Sequence, residues 1–289
     1  MKALALSWLA AAFVASTPAS LPHFVVADEP AWSRDGRWIA FVAADNAAAS
    51  APRSLYVMHV DGSGVRRVTP PGFAARWPSW SPDGRRIAFE HAPDVYVIGA
   101  DGSRLRRIVS GASEPAWGPG GTRIAVAKAT PKDYDQIHLV APDGSGEAVI
   151  ADSHDRCETY IEPTWSPDGV RVAFLATGAG GECGFNNFIG VTRGEGQRHH
   201  VLAAGWFDEP DWSPDGRSLA LVSYPPDGPY VTTVSTFDLR RRRLRHLYSG
   251  WHPRWSPDGR QLVFVRGDEK HSRLWVVDAD GSRPRSLTR

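Results

Sequence analysis

From residue 28 onward, apolar positions fall in short runs broken by clusters of turn-forming residues. Arg37-Trp38-Ile39-Ala40-Phe41-Val42, Arg86-Ile87-Ala88-Phe89, Arg123-Ile124-Ala125-Val126, Arg171-Val172-Ala173-Phe174-Leu175, Ser218-Leu219-Ala220-Leu221-Val222 and Gln261-Leu262-Val263-Phe264-Val265 are rich in branched and aromatic side chains and too short for helices. The pattern predicts strands. Each run follows one recurring phrase: Trp32-Ser33-Arg34-Asp35-Gly36, Trp80 to Gly84, a degraded Trp117-Gly118-Pro119-Gly120-Gly121, Trp165 to Gly169, Trp212 to Gly216 and Trp255 to Gly259. In Ser-Pro-Asp-Gly, proline fixes φ, aspartate accepts local backbone hydrogen bonds and glycine takes the positive φ, so the phrase predicts a hairpin turn.

A second hairpin follows in most copies. Leu55 to Val60 turns at Asp61-Gly62-Ser63 into Val65-Arg66-Arg67-Val68-Thr69, and Val95 to Ile98 turns at Asp101-Gly102-Ser103 into Leu105 to Val109. Asp-Gly recurs at Asp143-Gly144 and Asp280-Gly281. That makes four strands per repeat. The tryptophans stand 48, 37, 48, 47 and 43 residues apart, the size of one four-stranded propeller blade. The predicted fold is all-β: a six-bladed β-propeller of four-stranded antiparallel blades near 21–69, 70–109, 110–150, 151–202, 203–248 and 249–289. Each repeated Trp is expected to pack between neighbouring blades, since one such ring removes about 150–250 Å² from water.

Residues 1–19 break the pattern. Lys2, the apolar run Ala3 to Ala15 and the small residues Ser16-Thr17-Pro18-Ala19 read as a signal peptide cleaved after Ala19, which predicts a periplasmic or secreted protein with no transmembrane anchor. A formal net charge of +1 over 289 residues argues against nucleic acid as a partner, because phosphate neutralisation needs a basic face. Cys157 and Cys183, the two cysteines, are expected to form a disulfide in an exported chain. The run Arg240 to Arg243 reads as a solvated hairpin tip or a dock for an acidic surface, and His199-His200 as exposed.

Candidate chemistry gathers three residues before each repeated Trp, where Glu29, Trp77, Glu114, Glu162, Glu209 and His252 each precede a proline. Loops of several blades converge at a propeller channel, so these six are the expected binding residues at its mouth. Four carboxylates there could hold calcium or another divalent cation, could receive a basic peptide, or could be framework, solvated or bonded to a neighbouring backbone. Asp28 and Asp208 beside them read as a solvated rim, and Trp77, Trp206 and Trp251 as wet aromatic rings. No nucleophile elbow, zinc-protease motif or phosphate loop occurs, so no catalytic residue is assigned.

The turns, the Arg-Ile-Ala-Phe strand, the Asp-Gly-Ser hairpin and the Arg-Arg-Val-Thr ending together resemble the propeller repeat of the TolB family, over residues 28–289. TolB carries an α/β domain ahead of its propeller, for which this chain leaves no room, so the resemblance is to the propeller half. Related repeats occur in the non-catalytic propellers of prolyl-oligopeptidase-like enzymes. Residues and resemblance together predict a monomeric, exported, non-catalytic module that binds a protein or peptide and needs no cofactor. The alternative is a propeller hydrolase or lyase whose metal is held by the mouth carboxylates.

Overall fold

The computed structural model describes residues 24–44, 52–130, 134–152, 158–178, 187–193, 199–224, 231–268 and 270–288. The signal peptide expected over 1–19 and the pairing expected between Cys157 and Cys183 lie outside these residues. Among the described residues there are 24 strands and no helix, so none is long and apolar enough to cross a membrane.

Local chemistry builds each hairpin. In the first repeat, Gly36 N–H donates to Ser33 O (2.9 Å), the Ser33 hydroxyl donates to Asp35 Oδ1 (2.6 Å), and Trp38 N–H donates back to Ser33 Oγ (2.9 Å). The same closure recurs at Ser81, Ser213 and Ser256. It aligns β1 (Val26–Trp32) with β2 (Trp38–Ala44), which continues into β3 (Ser54–His59) and β4 (Arg66–Arg67). Four later stretches, within 76–110, 112–151, 158–204 and 207–249, each form one four-stranded antiparallel sheet in chain order. The last repeat, β21 (Trp251–Trp255), β22 (Gln261–Gly267), β23 (Ser272–Asp278) and β24 (Arg285–Ser286), shares a sheet with β1 to β4 through a single parallel bridge, Val26 to Ser272. Sheets are therefore five in number, one of them eight-stranded.

The first strands of the repeats are β1, β5 (Arg76–Trp80), β9 (Ala112–Trp117), β13 (Glu158–Trp165), β17 (Phe207–Trp212) and β21. They touch in that order, and β21 touches β1 again. Each space between neighbouring repeats is filled by one apolar cluster containing one repeated Trp; Trp80, for example, sits with Ala31, Val42 and Ile87. Two of these rings also donate across the junction, Trp80 Nε1 to Ala31 O (3.1 Å) and Trp165 Nε1 to Ala116 O (3.0 Å).

Two further links stitch repeat to repeat. The proline ring of a Ser-Pro-Asp-Gly turn packs against the glycine of the next turn: a Cβ built on Gly169 would meet Pro119 at 3.1 Å, one on Gly216 would meet Pro167 at 3.4 Å, and one on Gly36 would meet Pro257 of the last repeat at 4.0 Å. On the outer strands, Arg106 donates to Pro142 O (2.9 Å) and Arg285 to Val60 O (3.1 Å), so the last repeat again clasps the first.

Candidate functional site

All six predicted site residues lie on the first strands, and all six have left-handed backbone, with φ between 49° and 56°. They sit inside the strand, at a break in register, as between Asp28 and Ala31 or between Ile161 and Thr164. The reason is the proline that follows: it has no N–H for the ladder, so the X-Pro pair is accommodated as a bulge. A non-glycine residue in this region costs roughly 1–2 kcal/mol and needs its surroundings to hold it there.

The carboxylates supply that hold. A first strand is the inner edge of its sheet, so its outward N–H groups have no ladder partner. Glu29 Oε2 accepts the N–H of Trp77 (2.6 Å), Glu114 Oε2 that of Glu162 (2.5 Å), Glu162 Oε2 that of Glu209 (2.6 Å), and Glu209 that of His252. Each acid reaches forward to the same position of the next repeat. Where the repeat has no acid, another stands in: Glu90 Oε2 accepts Glu114 N–H (3.4 Å) in place of Trp77, and Asp28 Oδ1 accepts Glu29 N–H (2.9 Å) in place of His252.

The two sides of this ring differ in charge. Around the junction of last and first repeats, His252 Nδ1 donates to Asp28 Oδ1 (2.7 Å) and Nε2 to Glu209 Oε1 (3.0 Å), so the imidazole carries both protons. Burial opposes its charge, but Glu209 and Asp28 outweigh burial and lift its pKa to about 10. Asp28 also accepts from Arg53 (2.9 Å) and Trp251 Nε1 (3.1 Å); burial would raise its pKa, but His252 and Arg53 hold it below the ordinary value. Arg76 pairs with Glu29 (3.2 Å), and Trp77 sets its ring edge-on to His252 at 4.9 Å. Across the ring, among the described residues, no cation pairs directly with Glu114 or Glu162, and Arg76 acts on Glu114 only at a distance. Burial, with repulsion from Glu90 and Asp135, pushes Glu114 up to about 7; burial, then Glu209 and Glu114, push Glu162 well above the ordinary value.

Below the ring lies a central cavity of ≈ 480 Å³, lined by residues of all six first strands and ending at the prolines of the turns. Its walls are mainly proline and tryptophan. Its polar lining comprises Glu29, Glu114 and Glu162 of the ring, Ser79 and Asp211, which accept the N–H of Trp117 (2.8 Å) and Trp255 (2.7 Å), and Thr164, Ser166, Arg254 and Arg34. Burial pushes Asp211 up to about 6.

Several expectations change. Asp28 is not on a solvated rim: it is 6% exposed and the hub of the ion network. Glu29 (3%) and His252 (8%) are likewise buried. Of the three tryptophans, Trp206 is exposed at 52%, whereas Trp251 packs on the core and Trp77 is half-buried. His200 is exposed, but its neighbour His199 is half-buried and stacked on Phe188 at 5.7 Å. Arg240 to Arg243 form an exposed hairpin tip, capped by Asp238. Asp28, Glu90, Arg53, Arg76, Asp211, Arg254 and Arg34 were missed as site residues. For Arg34 a signal existed, since it stands where other copies have proline.

With this geometry in place, comparison with known proteins identifies the class. Residues 19–184 match the TolB beta propeller domain, and the chain belongs to that family. TolB from Acinetobacter baumannii superposes with a TM-score of 0.72 at 21% identity, covering 86% of this chain and 62% of that one, so this chain spans less than two thirds of that protein's length. A putative TolB from Agrobacterium tumefaciens gives a TM-score of 0.65 at 21% identity, over 78% of this chain and 84% of that one. An oligogalacturonate lyase from Vibrio parahaemolyticus is also similar, with a TM-score of 0.58 at 14% identity, over 86% of this chain and 76% of that one. At these identities the likeness shows the fold alone. No curated protein matches the sequence.

Proposed function

We propose that this chain is an exported, monomeric, six-bladed propeller that binds a protein or peptide at the mouth of its central cavity and catalyses no reaction. The blade count is supported by reading the eight-stranded sheet as two four-stranded blades joined by one bridge, and by the Pro257 to Gly36 and Arg285 to Val60 contacts between last and first repeats. Export to the periplasm or beyond is supported by the Lys2 and Ala3 to Ala15 segment. The observation that carries the binding assignment is the ≈ 480 Å³ cavity, within the range of ligand sites, whose apolar walls hold a few placed polar groups. The mouth adds the half-buried ring of Trp77, an amphipathic anchor of the kind that dominates binding surfaces.

The mouth carboxylates act in this reading as framework, because four of them already accept a backbone N–H from the next repeat. Among the described residues no three His, Cys, Asp or Glu side chains are grouped to hold a metal ion, and no specific observation favours the hydrolase or lyase alternative. The test is affinity capture from an envelope extract with the mature chain as bait, beside Trp77→Ala. Capture of a discrete partner by the wild-type chain, reduced at least tenfold by Trp77→Ala with little change in Tm, is expected. Identical capture by both baits contradicts the assignment, as does stoichiometric Ca²⁺ or Mn²⁺ in the purified protein together with turnover of any polysaccharide or peptide.

A further inference from the structure

Two arginines in the cavity stand at repeat positions where no other copy has one. Arg34 stands where the other five turns carry Pro82, Pro119, Pro167, Pro214 and Pro257. Those five prolines each pack on the glycine of the following turn, but a Cβ on Gly84, the glycine that follows Arg34, would meet nothing within 4 Å. The proline contact is given up at that one junction, and the side chain there lines the cavity instead. Arg254 stands between proline and Trp, where Ala31, Ser79, Ala116 and Thr164 are small and Asp211 caps Trp255.

These two cations sit on neighbouring repeats, the last and the first, whose first strands touch. Neither has a carboxylate oxygen within 4.0 Å among the described residues. Arg254 is half-buried and donates to one protein group, the Pro253 carbonyl (2.9 Å). Of the nearby acids, Asp211 feels the charge of Arg254 but bonds to Trp255 N–H rather than to the guanidinium, and Asp35 bonds to the Ser33 hydroxyl (2.6 Å) and Arg37 N–H (3.0 Å). Other arginines of this end are used differently. Arg86 and Arg171 each cover the face of a repeated Trp at 4.8 Å, sealing the space between repeats. Arg254, half-buried among proline and tryptophan with Asp211 as its nearby charge, leaves most of its donors open to an oxyanion. Its planar fork matches a carboxylate with two parallel hydrogen bonds.

We propose that Arg254 and Arg34 form an anion subsite at the turn end of the cavity, which takes a carboxylate group of the ligand. A carboxylate is favoured over phosphate because two cations with Asp211 beside them balance one negative charge better than two. Arg34 is exposed at this end, so a carboxylate can reach the pair. This deepens the reading of the cavity as the binding site, and its test uses a small carboxylate directly, so that failure to capture a partner and failure of the subsite are separate results.

The test is NMR of the tryptophan indole N–H signals, with sodium propionate titrated into the mature chain at constant ionic strength. Saturable shifts are expected for the signals of Trp32 and Trp255, which border the two arginines. Neutral propionamide and sodium chloride should produce none. Arg254→Thr and Arg34→Pro restore the residue types of the other repeats, so both should fold with Tm unchanged or raised while weakening propionate at least fivefold. Arg254→Gln replaces Arg254→Thr if the latter does not fold. Equal shifts with propionamide, wild-type binding in both variants, or tighter binding of inorganic phosphate than of propionate would each overturn the proposal.

Discussion

Replacing Asp28 by alanine is expected to cost about 3–5 kcal/mol of folding stability, the range for breaking a buried ion pair by removing one partner. Asp28 accepts hydrogen bonds from His252, Arg53, Trp251 Nε1 and the Glu29 N–H, and these groups come from the two ends of the chain. Without it, the buried imidazolium of His252 keeps only Glu209 as counter-ion, and the Glu29 N–H loses its acceptor at a bulge with φ of 49°. The junction of last and first repeats has one backbone bridge, so side chains must hold it. Urea unfolding midpoints of Asp28→Ala and wild type measure the effect. A loss below about 1 kcal/mol, the scale of a solvated surface pair, would show that the network does not close the ring.

The second large effect is on pH. A carboxyl whose folded pKa lies above its unfolded value binds its proton more tightly when folded, so its contribution to stability is complete below the unfolded pKa and disappears as pH rises through the folded one. Glu114, at about 7 against an ordinary 4.5, therefore loses its contribution between those values; at about 1.4 kcal/mol per tenfold change in proton affinity this is on the order of 3 kcal/mol. Glu162 and Asp211, both raised chiefly by burial, act in the same direction. His252 does too: its pKa is raised to about 10, so its contribution is present below 6.5 and lost as pH climbs through 10. Asp28, with a lowered pKa, acts oppositely and loses its contribution as pH falls below about 3.8. Stability should peak near pH 5 and decline toward pH 10. Glu162→Gln keeps an acceptor for the Glu209 N–H and removes the charge, so it should flatten the decline and match or exceed wild type at pH 8. Unfolding midpoints at pH 5, 7 and 9 decide; a wild-type midpoint that rises across this range contradicts the account.

Much of the fold was legible in the sequence because turn chemistry is local. Ser-Pro-Asp-Gly carries its own hydrogen bonds, and the spacing of Trp32, Trp80, Trp117, Trp165, Trp212 and Trp255 reports how much chain makes one sheet. That Glu29 and its five counterparts share one place in the repeat was legible for the same reason, and four of them, Glu29, Trp77, Glu114 and Glu162, line the cavity. What those acids do was not. Whether Glu114 is wet or caps Glu162 depends on a contact 48 residues away, which exists only once the repeats have packed. Glu90 and Asp28 stand outside the repeated position and replace its acid where Trp77 and His252 interrupt it, a substitution that no local pattern reveals. Arg34 was visible as a departure from the turn phrase, but its use depends on Gly84 being left uncovered, which is a property of packing.

The most direct test of the account is amide hydrogen exchange at Glu209. If the ring of acids is framework, each one caps the backbone of the next repeat and leaves the cavity itself for the ligand. In Glu162→Ala the Glu209 amide should exchange at least tenfold faster than in wild type, and in Glu162→Gln it should stay protected. Equal protection of that amide in Glu162→Ala and wild type would mean that the carboxylates do not hold the backbone.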